Sequence, residues 1–317
     1  LLWGGSLTIL ALTAFISRLE LNDQFVQYFD ESLTFRRDTD FTITHLTGIS
    51  QLEYSLSAGE ASGINEPSYL QNLKSFENWF GQQPETLHVN SLHTLYERLN
   101  KNLHGDDPDW YRLPDQRELA AQYLLLYEFS LPYGLDLNDQ INVDKSATRF
   151  TVTTKDLSTR EIQALEARAA KWMQSNLTDT MHTRATGAAI MFAYISERNI
   201  RTMMWGTAMA VVLIVSTLTI AFRSIKLGII SLEPNLIPAL MAFGCWALIF
   251  GQVGLVVSVV FAMALGIIVD DTVHYLSKYL HARRVQGMAS EVAVRYALTT
   301  VGTALWITSI ILIGGFA

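Results

Sequence analysis

Long apolar runs constrain the fold of this chain more than any other feature of its sequence. A membrane-spanning helix needs about 20 consecutive, mostly apolar residues. Five segments reach or nearly reach that length, namely 1–19, 203–222, 227–250, 253–275 and 297–316. A single run of this kind is compatible with a buried core helix, but five in one chain leave that interpretation little room. The sequence therefore predicts a polytopic α-helical membrane protein.

The polarity of the sequence divides the chain into a membrane part and a water-soluble part. Residues 21–200 are polar and charged like a soluble α/β domain, whereas charges after residue 201 occur in short clusters between apolar runs. We assign 1–20 to a first transmembrane helix and 201–317 to transmembrane helices two to five. The first run lacks a basic start and a small-residue cleavage site, so we interpret it as a membrane helix and not as a signal sequence. We expect the chain to be a fragment of a longer protein.

The basic residues of the short connections predict the orientation. Lys and Arg occur at 223–226 and 278–284, while 251–254 carries no charge. Because basic loops stay in the cytoplasm, this pattern predicts a multi-pass protein of the inner (plasma) membrane whose large domain is periplasmic or extracytoplasmic. Residues 277–295 are basic and amphipathic, which predicts a connector along the cytoplasmic membrane surface.

Alternation of apolar and polar residues predicts the strands of the large domain. We expect strands at 51–57, 86–92, 147–154 and 183–186. Pro67 and Ser158 mark the starts of amphipathic helices after the first and third of these strands. The predicted order is β-α-β, a helical insertion near 93–137, and a second β-α-β unit.

Two features of the insertion have competing interpretations. An acidic cluster that could be read as a metal site comprises His104, Asp106, Asp107 and Asp109. The ligand spacing of a calcium loop is missing and Pro108 suits an ordinary turn, so we predict no metal there. The apolar stretch 123–129 faces either lipid or substrate, or packs in the core, and core packing is the favoured interpretation.

The most unusual residues are two adjacent carboxylates at the end of an apolar run, in the sequence M-A-L-G-I-I-V-D-D-T-V-H-Y-L at 263–276. A charge in hydrocarbon costs roughly 2.5 to 3.5 kcal/mol, so Asp270 and Asp271 are expected to have a function. His274 follows at helical spacing from both. Burial and a neighbouring like charge disfavour the ionised form, so this trio suits a proton relay. Alternatively, the pair marks the point where the helix meets water, and hydropathy alone does not decide between the two.

Three motifs carry a resemblance to a known family. They are G-I-I-V-D-D-T-V-H at 266–274, E-P-N-L-I-P-A-L-M-A-F-G at 233–244 and V-G-T-A-L-W-I-T-S at 301–309. With the layout of one helix, a large domain and further helices, they resemble the resistance-nodulation-division (RND) superfamily. The resemblance is strongest to its branch of predicted hydrophobe or lipid exporters, related to MmpL and Patched proteins, and to the second repeat of such exporters.

This resemblance implies a fold, a function and a set of site residues. The large domain would be a porter domain of split β-α-β, ferredoxin-like units that binds substrate. Asp270 and Asp271 would be the coupling carboxylates, and possible relay partners on the fifth helix would be Thr303, Thr308 and Ser309. The chain would export lipid-like compounds or drugs against an inward flow of protons. Its expected partners are the bilayer, a hydrophobic substrate, protons, the missing repeat with the counter-charge, and either a homo-oligomer or a periplasmic accessory protein.

Other function classes fit the sequence less well. A Patched-like receptor that senses a sterol or lipid without pumping remains the alternative. An intramembrane aspartyl protease needs carboxylates on two separate helices. No nucleophile triad, phosphate loop or zinc motif is present in the sequence, so we expect neither an enzyme nor a cofactor. With 23 basic against 30 acidic side chains, binding to nucleic acid is not expected.

Overall fold

The computed structural model describes residues 2–132 and 134–316, which form two compact units. The outer unit is Asn22–Glu197, and the membrane unit comprises the rest of the described chain. The helices are α1 (Leu2–Phe15), α2 (Thr34–His45), α3 (Pro67–Gly81), α4 (Leu92–Leu103), α5 (Arg117–Ser130), α6 (Thr159–Asn176), α7 (Ala188–Phe222), α8 (Ile225–Ile230), α9 (Leu232–Ile249), α10 (Leu255–Arg284) and α11 (Ser290–Phe316). The strands are β1 (Glu20–Leu21), β2 (Ser50–Ser57), β3 (Thr86–Asn90), β4 (Ala147–Thr154) and β5 (Gln252–Val253).

The sheet of the outer unit has β4 at its centre. Both β2 and β3 pair with β4 in antiparallel fashion. The predicted strand at 183–186 was wrong, because only Thr186 pairs, in a single antiparallel bridge to Glu53. Gly187 follows with a φ of 103° and α7 begins at the next residue, so the chain turns away before a strand can form.

The core of the outer unit lies between this sheet and α3 and α6. Tyr54, Phe76, Phe80 and Phe150 are among its largest fully buried side chains, and the rings of Phe76 and Phe150 lie 4.8 Å apart. Each aromatic side chain of this kind contributes about 1.5 to 3 kcal/mol through burial. At the start of α6, Ser158 forms the predicted capping box with Glu161.

The helical insertion contributes to the core with one face only. Tyr123 and Leu124 of α5 are buried, whereas Leu125, Leu126 and Phe129 are exposed. Core packing is therefore confirmed for Tyr123 and Leu124, and a surface that faces lipid or substrate stays a prediction for the exposed residues.

The acidic cluster of the insertion makes local contacts. Asp107 accepts a hydrogen bond from the backbone N–H of Asp109, and the ring of His104 stacks on Trp110. In the described part of the chain, no group of three or more His, Cys, Asp or Glu residues is placed to hold a metal ion.

Four helical segments of the chain are long and apolar enough to cross a membrane. They are Ala188–Phe222, Ile225–Ile249, Leu255–Arg284 and Ser290–Gly315. The first predicted span is shorter within the described residues, because α1 ends at Phe15 and passes through a 3-10 turn, Ile16–Arg18, into β1. The chain is thus mostly helical and has the helices of a membrane protein.

The predicted connector at 277–295 differs from the structure. It consists of the last turns of α10, a bend at 285–289 and the first turns of α11. Gly287 in the bend has a φ of 66°, a conformation that glycine adopts at little cost. The two helices therefore form a hairpin without a separate surface helix between them.

Helices α1 and α9 approach each other closely at one glycine. A Cβ atom at Gly244 would lie 2.8 Å from Cβ of Leu12 and closer still to the Leu12 carbonyl oxygen. In membranes, small residues let helix backbones pack against each other in this way.

We expect Gly244→Ala to destabilise the membrane unit by about 1 to 3 kcal/mol, because the added methyl group overfills this contact. Gly206→Ala in α7 is the matched control, since a Cβ atom there meets nothing within 4 Å. Thermal unfolding of both variants in detergent measures the difference. Equal unfolding temperatures would contradict the close packing.

A group of ionisable side chains joins α3 to α4 in the outer unit. Nζ of Lys74 lies 2.7 Å from Oε1 of Glu97, and Nε2 of His93 lies 3.5 Å from Oε2 of Glu77. Burial, helped by the charge of Lys74, lowers the pKa of His93 to about 4. Burial also raises the pKa of Glu77. His93 is therefore neutral in the folded protein at physiological pH.

We expect the outer unit to lose stability as the pH falls from about 6.5 to about 4, because the unfolded chain protonates this histidine first. The loss approaches about 3 kcal/mol, and the raised pKa of Glu77 acts in the opposite direction. His93→Gln should flatten the dependence of the unfolding temperature on pH. His45→Gln, at an exposed histidine, is the control. An unchanged slope in His93→Gln would exclude His93 as the cause.

Candidate functional site

The two carboxylates lie near the middle of α10. This helix has 30 residues and continues to Arg284, well beyond Asp271. At 1.5 Å per residue, the pair lies about 20 Å from either end of the helix. The helix itself therefore does not end at the carboxylates.

Asp270 and His274 form a pair on an exposed face of α10. Nε2 of His274 lies 3.6 Å from Oδ1 of Asp270, one helical turn away. The two side chains are 72% and 64% exposed, with Asp270 the more exposed, whereas Asp271 is half-buried. The described chain thus leaves a carboxylate and an imidazole without cover in the middle of a membrane-length helix.

The opposite face of α10 is buried. Ser258, Leu265, Thr272 and Leu276 form one stripe along the helix. At the C-terminal end of this stripe, Leu276 packs with Leu218 and Phe222 of α7. Since successive residues are rotated by about 100°, both Asp270 and Asp271 point away from this stripe, to either side of the opposite face.

A polar contact between α9 and α10 lies beside the carboxylates. The hydroxyl of Thr272 donates to Oδ1 of Asn235 at 2.9 Å. Asn235 in turn donates from Nδ2 to the carbonyl of Ser231 at 2.7 Å. All three residues are buried. This contact was not predicted from the motif around Asn235, although an amide in an apolar run was the available signal.

Two of the three predicted hydroxyl partners bond within their own helix. Thr308 and Ser309 are exposed and donate to the carbonyl of Leu305 in their own helix, at 2.9 and 2.8 Å. Thr303 is also exposed, but it lies as many residues after Ser290 as Asp271 lies before Arg284. In a helical hairpin this places Thr303 at the level of the pair.

The outer unit carries an open groove with mixed polarity. Its volume is about 400 Å³, and it is lined by β3, the start of α4, Tyr127 and the loop at 137–140. Leu92 and Leu95 supply apolar surface, while Arg98 and His88 are its ionisable side chains. A groove of this size and composition suits part of an amphiphilic molecule.

Most of the chain matches the model of one known protein family. A family model described as the MMPL family matches residues 65–317, which include α3 to α11 and both carboxylates. No curated protein sequence matches the chain.

Proposed function

The chain belongs to the MMPL family, and we propose that it is a proton-driven secondary exporter of hydrophobic or amphiphilic molecules. The family comprises transporters rather than enzymes, so RND-type transport or a related lipid-sensing role is the range of functions to consider. In our proposal Asp270 and Asp271 form the proton relay, and His274 assists them.

The observation that carries this proposal is the uncovered face of α10. Asp270 and His274 are both more than half exposed on a helix of membrane length. A charged face of this kind is costly against lipid and is stable only against protein or a water-filled cavity. This supports a counter-charge outside the described chain, either in another repeat or in a second copy.

Protonation of the pair supplies the driving force. Each proton that moves down the gradient provides roughly 2.3 kcal/mol per 100 mV of membrane potential and about 1.4 kcal/mol per pH unit. A neutral carboxyl no longer requires its counter-charge, so α10 repacks against its neighbours. Helix α7 is continuous from Ala188 to Phe222, so a single helix joins the two units along the chain.

The outer unit serves as the porter domain in this proposal. With the bridge at Thr186, the order of its chain segments is Thr186, β2, β4, β3, which is the order of a split β-α-β, ferredoxin-like unit. Its groove and the exposed apolar side chains of α5 suit an amphiphilic substrate. The basic residues of the connection at 223–226 and of the last turns of α10, at 278–284, support a periplasmic location for this unit and the inner membrane for the protein.

We expect Asp270→Asn and Asp271→Asn each to abolish substrate-dependent proton uptake, because neither amide can carry the proton. The full-length protein in liposomes is tested with Nile red, a dansyl-labelled fatty acid and dehydroergosterol as probes. Glu291→Gln, at an exposed acidic residue of α11, is the matched control and should transport normally. Normal proton uptake by either Asp variant would rule out the relay.

His274→Gln should slow transport by about a hundredfold, since an imidazole in contact with the carboxylate assists proton transfer. His281→Gln, at the last turn of the same helix, should leave the rate unchanged. If the two variants behave alike in the same liposome assay, His274 has no part in the relay.

The same assay separates export from sensing. A Patched-like sensor would bind dehydroergosterol or the labelled fatty acid without any proton flux in the wild-type protein. Retained binding with no flux across all three probes would favour that function over export.

A further inference from the structure

We propose that Asn235 and Thr272 are positioning residues that link α9 to α10 and fix the direction in which Asp271 points. This inference rests on the proposed relay function and deepens it. It concerns two residues that do not carry the proton themselves and act on it through the orientation of the helix.

The position of Thr272 couples it to the carboxylate. Thr272 follows Asp271 directly in α10, so any rotation of the helix that redirects Asp271 displaces Thr272 by the same angle. The 2.9 Å hydrogen bond from Thr272 to Asn235 opposes that rotation. The bond therefore sets the rotational position of the helix segment that carries the pair.

Because this hydrogen bond is buried, breaking it costs more free energy than breaking one at the surface. Thr272 is 7% exposed and Asn235 is 4% exposed, in helices that are otherwise largely apolar. A hydroxyl or amide removed from water without a hydrogen bond is costly, so the two groups hold each other in place. Plain helix packing would be served equally well by Val and Leu at these positions.

The contact is anchored on the side of α9. Nδ2 of Asn235 donates to the carbonyl of Ser231, and the hydroxyl of Ser231 donates to the carbonyl of Gly228 at 2.6 Å. Ser231 lies at the junction between α8 and α9. The amide orientation is thus fixed by the backbone behind it, and Oδ1 points at α10.

The link can also be released. The Thr272 hydroxyl carries one proton and has two acceptors within reach, Oδ1 of Asn235 at 2.9 Å and the carbonyl of Ile268 at 3.0 Å. When α10 moves away from α9, the hydroxyl can bond within its own helix and remains satisfied. In our proposal the bond to Asn235 holds α10 in the described position, and the bond to Ile268 replaces it when protonation of the pair lets α10 repack.

The test compares variants of the full-length protein in liposomes, with Nile red, the dansyl-labelled fatty acid and dehydroergosterol as probes. Thr272→Val keeps the shape of the side chain and removes the hydroxyl, and Asn235→Leu removes the acceptor. We expect each to lower the maximal rate of coupled proton uptake by about tenfold. The probe concentration at half-maximal rate should change by less than about twofold, because the link does not touch substrate.

Two comparisons separate positioning from a general effect on packing. Thr272→Ser restores the hydroxyl and should recover most of the rate. Ser258→Ala is the matched control, since Ser258 lies on the same buried face of α10 but donates only to Gly254, near the start of its own helix. The double variant of Thr272→Val with Asn235→Leu should be no slower than either single variant, because both remove one bond.

The outcomes are distinguishable from failure of the relay itself. A normal rate in Thr272→Val while Asp271→Asn abolishes proton uptake would overturn the link and leave the relay intact. Multiplicative losses in the double variant, or a loss in Ser258→Ala equal to that in Thr272→Val, would also overturn it. Normal uptake in the Asp variants would overturn the relay and with it the role of the link.

Discussion

The structure of the membrane unit depends on the cost of holding polar groups away from water. Asp270 and Asp271 lie about 20 Å from either end of α10, and an isolated charge costs several kcal/mol inside a bilayer. The chain offers partial compensation, with His274 beside Asp270 and half-burial of Asp271. The rest of this free-energy cost must be offset by the groups that contact the exposed face of α10. In the proposed exporter, the two carboxylates are stable there only when they bind a counter-charge or take up protons, and the change between these two states moves the helix.

On the buried face of α10, the cost of removing polar groups from water limits their number and requires each to be hydrogen-bonded. There the polar groups are few and each is satisfied, as with Thr272 and Asn235, while Gly244 allows α9 to pack closely on α1. Unsatisfied amides or hydroxyls at this face would destabilise the unit by more than a normal packing defect. One face of α10 is therefore held by packing and hydrogen bonds to neighbouring helices, whereas the opposite face has exposed polar side chains. In the proposed relay, this asymmetry lets protonation on the exposed face change the contacts of the buried face.

Much of the architecture could be predicted from the sequence because it follows from local patterns. Apolar runs identified the four membrane-length segments, and β4 has the predicted bounds since its alternation is unbroken from Ala147 to Thr154. Ser158 with Glu161 placed the start of α6. Prediction failed where contacts between distant residues, or turns of the backbone, determine the secondary structure. The segment 183–186 does not form the predicted strand because the chain turns at Gly187. The predicted connector at 277–295 consists of two helix ends and a bend.

The candidate site shows the same division between local and distant information. Adjacent carboxylates in an apolar run are visible in the sequence, and so is the helical spacing to His274. The pairing of Asn235 with Thr272 joins residues on two different helices, so no periodicity within either helix reveals it. Thr308 and Ser309 were expected as relay partners from the family resemblance, and the structure shows that their hydroxyls bond to Leu305 of their own helix.

If the proposed export acts on a lipid, the energetics of that substrate assign a definite task to the outer unit. At roughly 2.3 kcal/mol per 100 mV and about 1.4 kcal/mol per pH unit, one proton supplies only a few kcal/mol. Exposing a chain of about ten methylene groups to water costs about 8 kcal/mol, at about 0.8 kcal/mol for each. A single proton therefore cannot lift such a chain into water. The apolar part must stay covered along its path, and exposed side chains such as Leu125, Leu126 and Phe129 of α5 are surfaces that can cover it. The proton then drives only the change of conformation, which lies within its range.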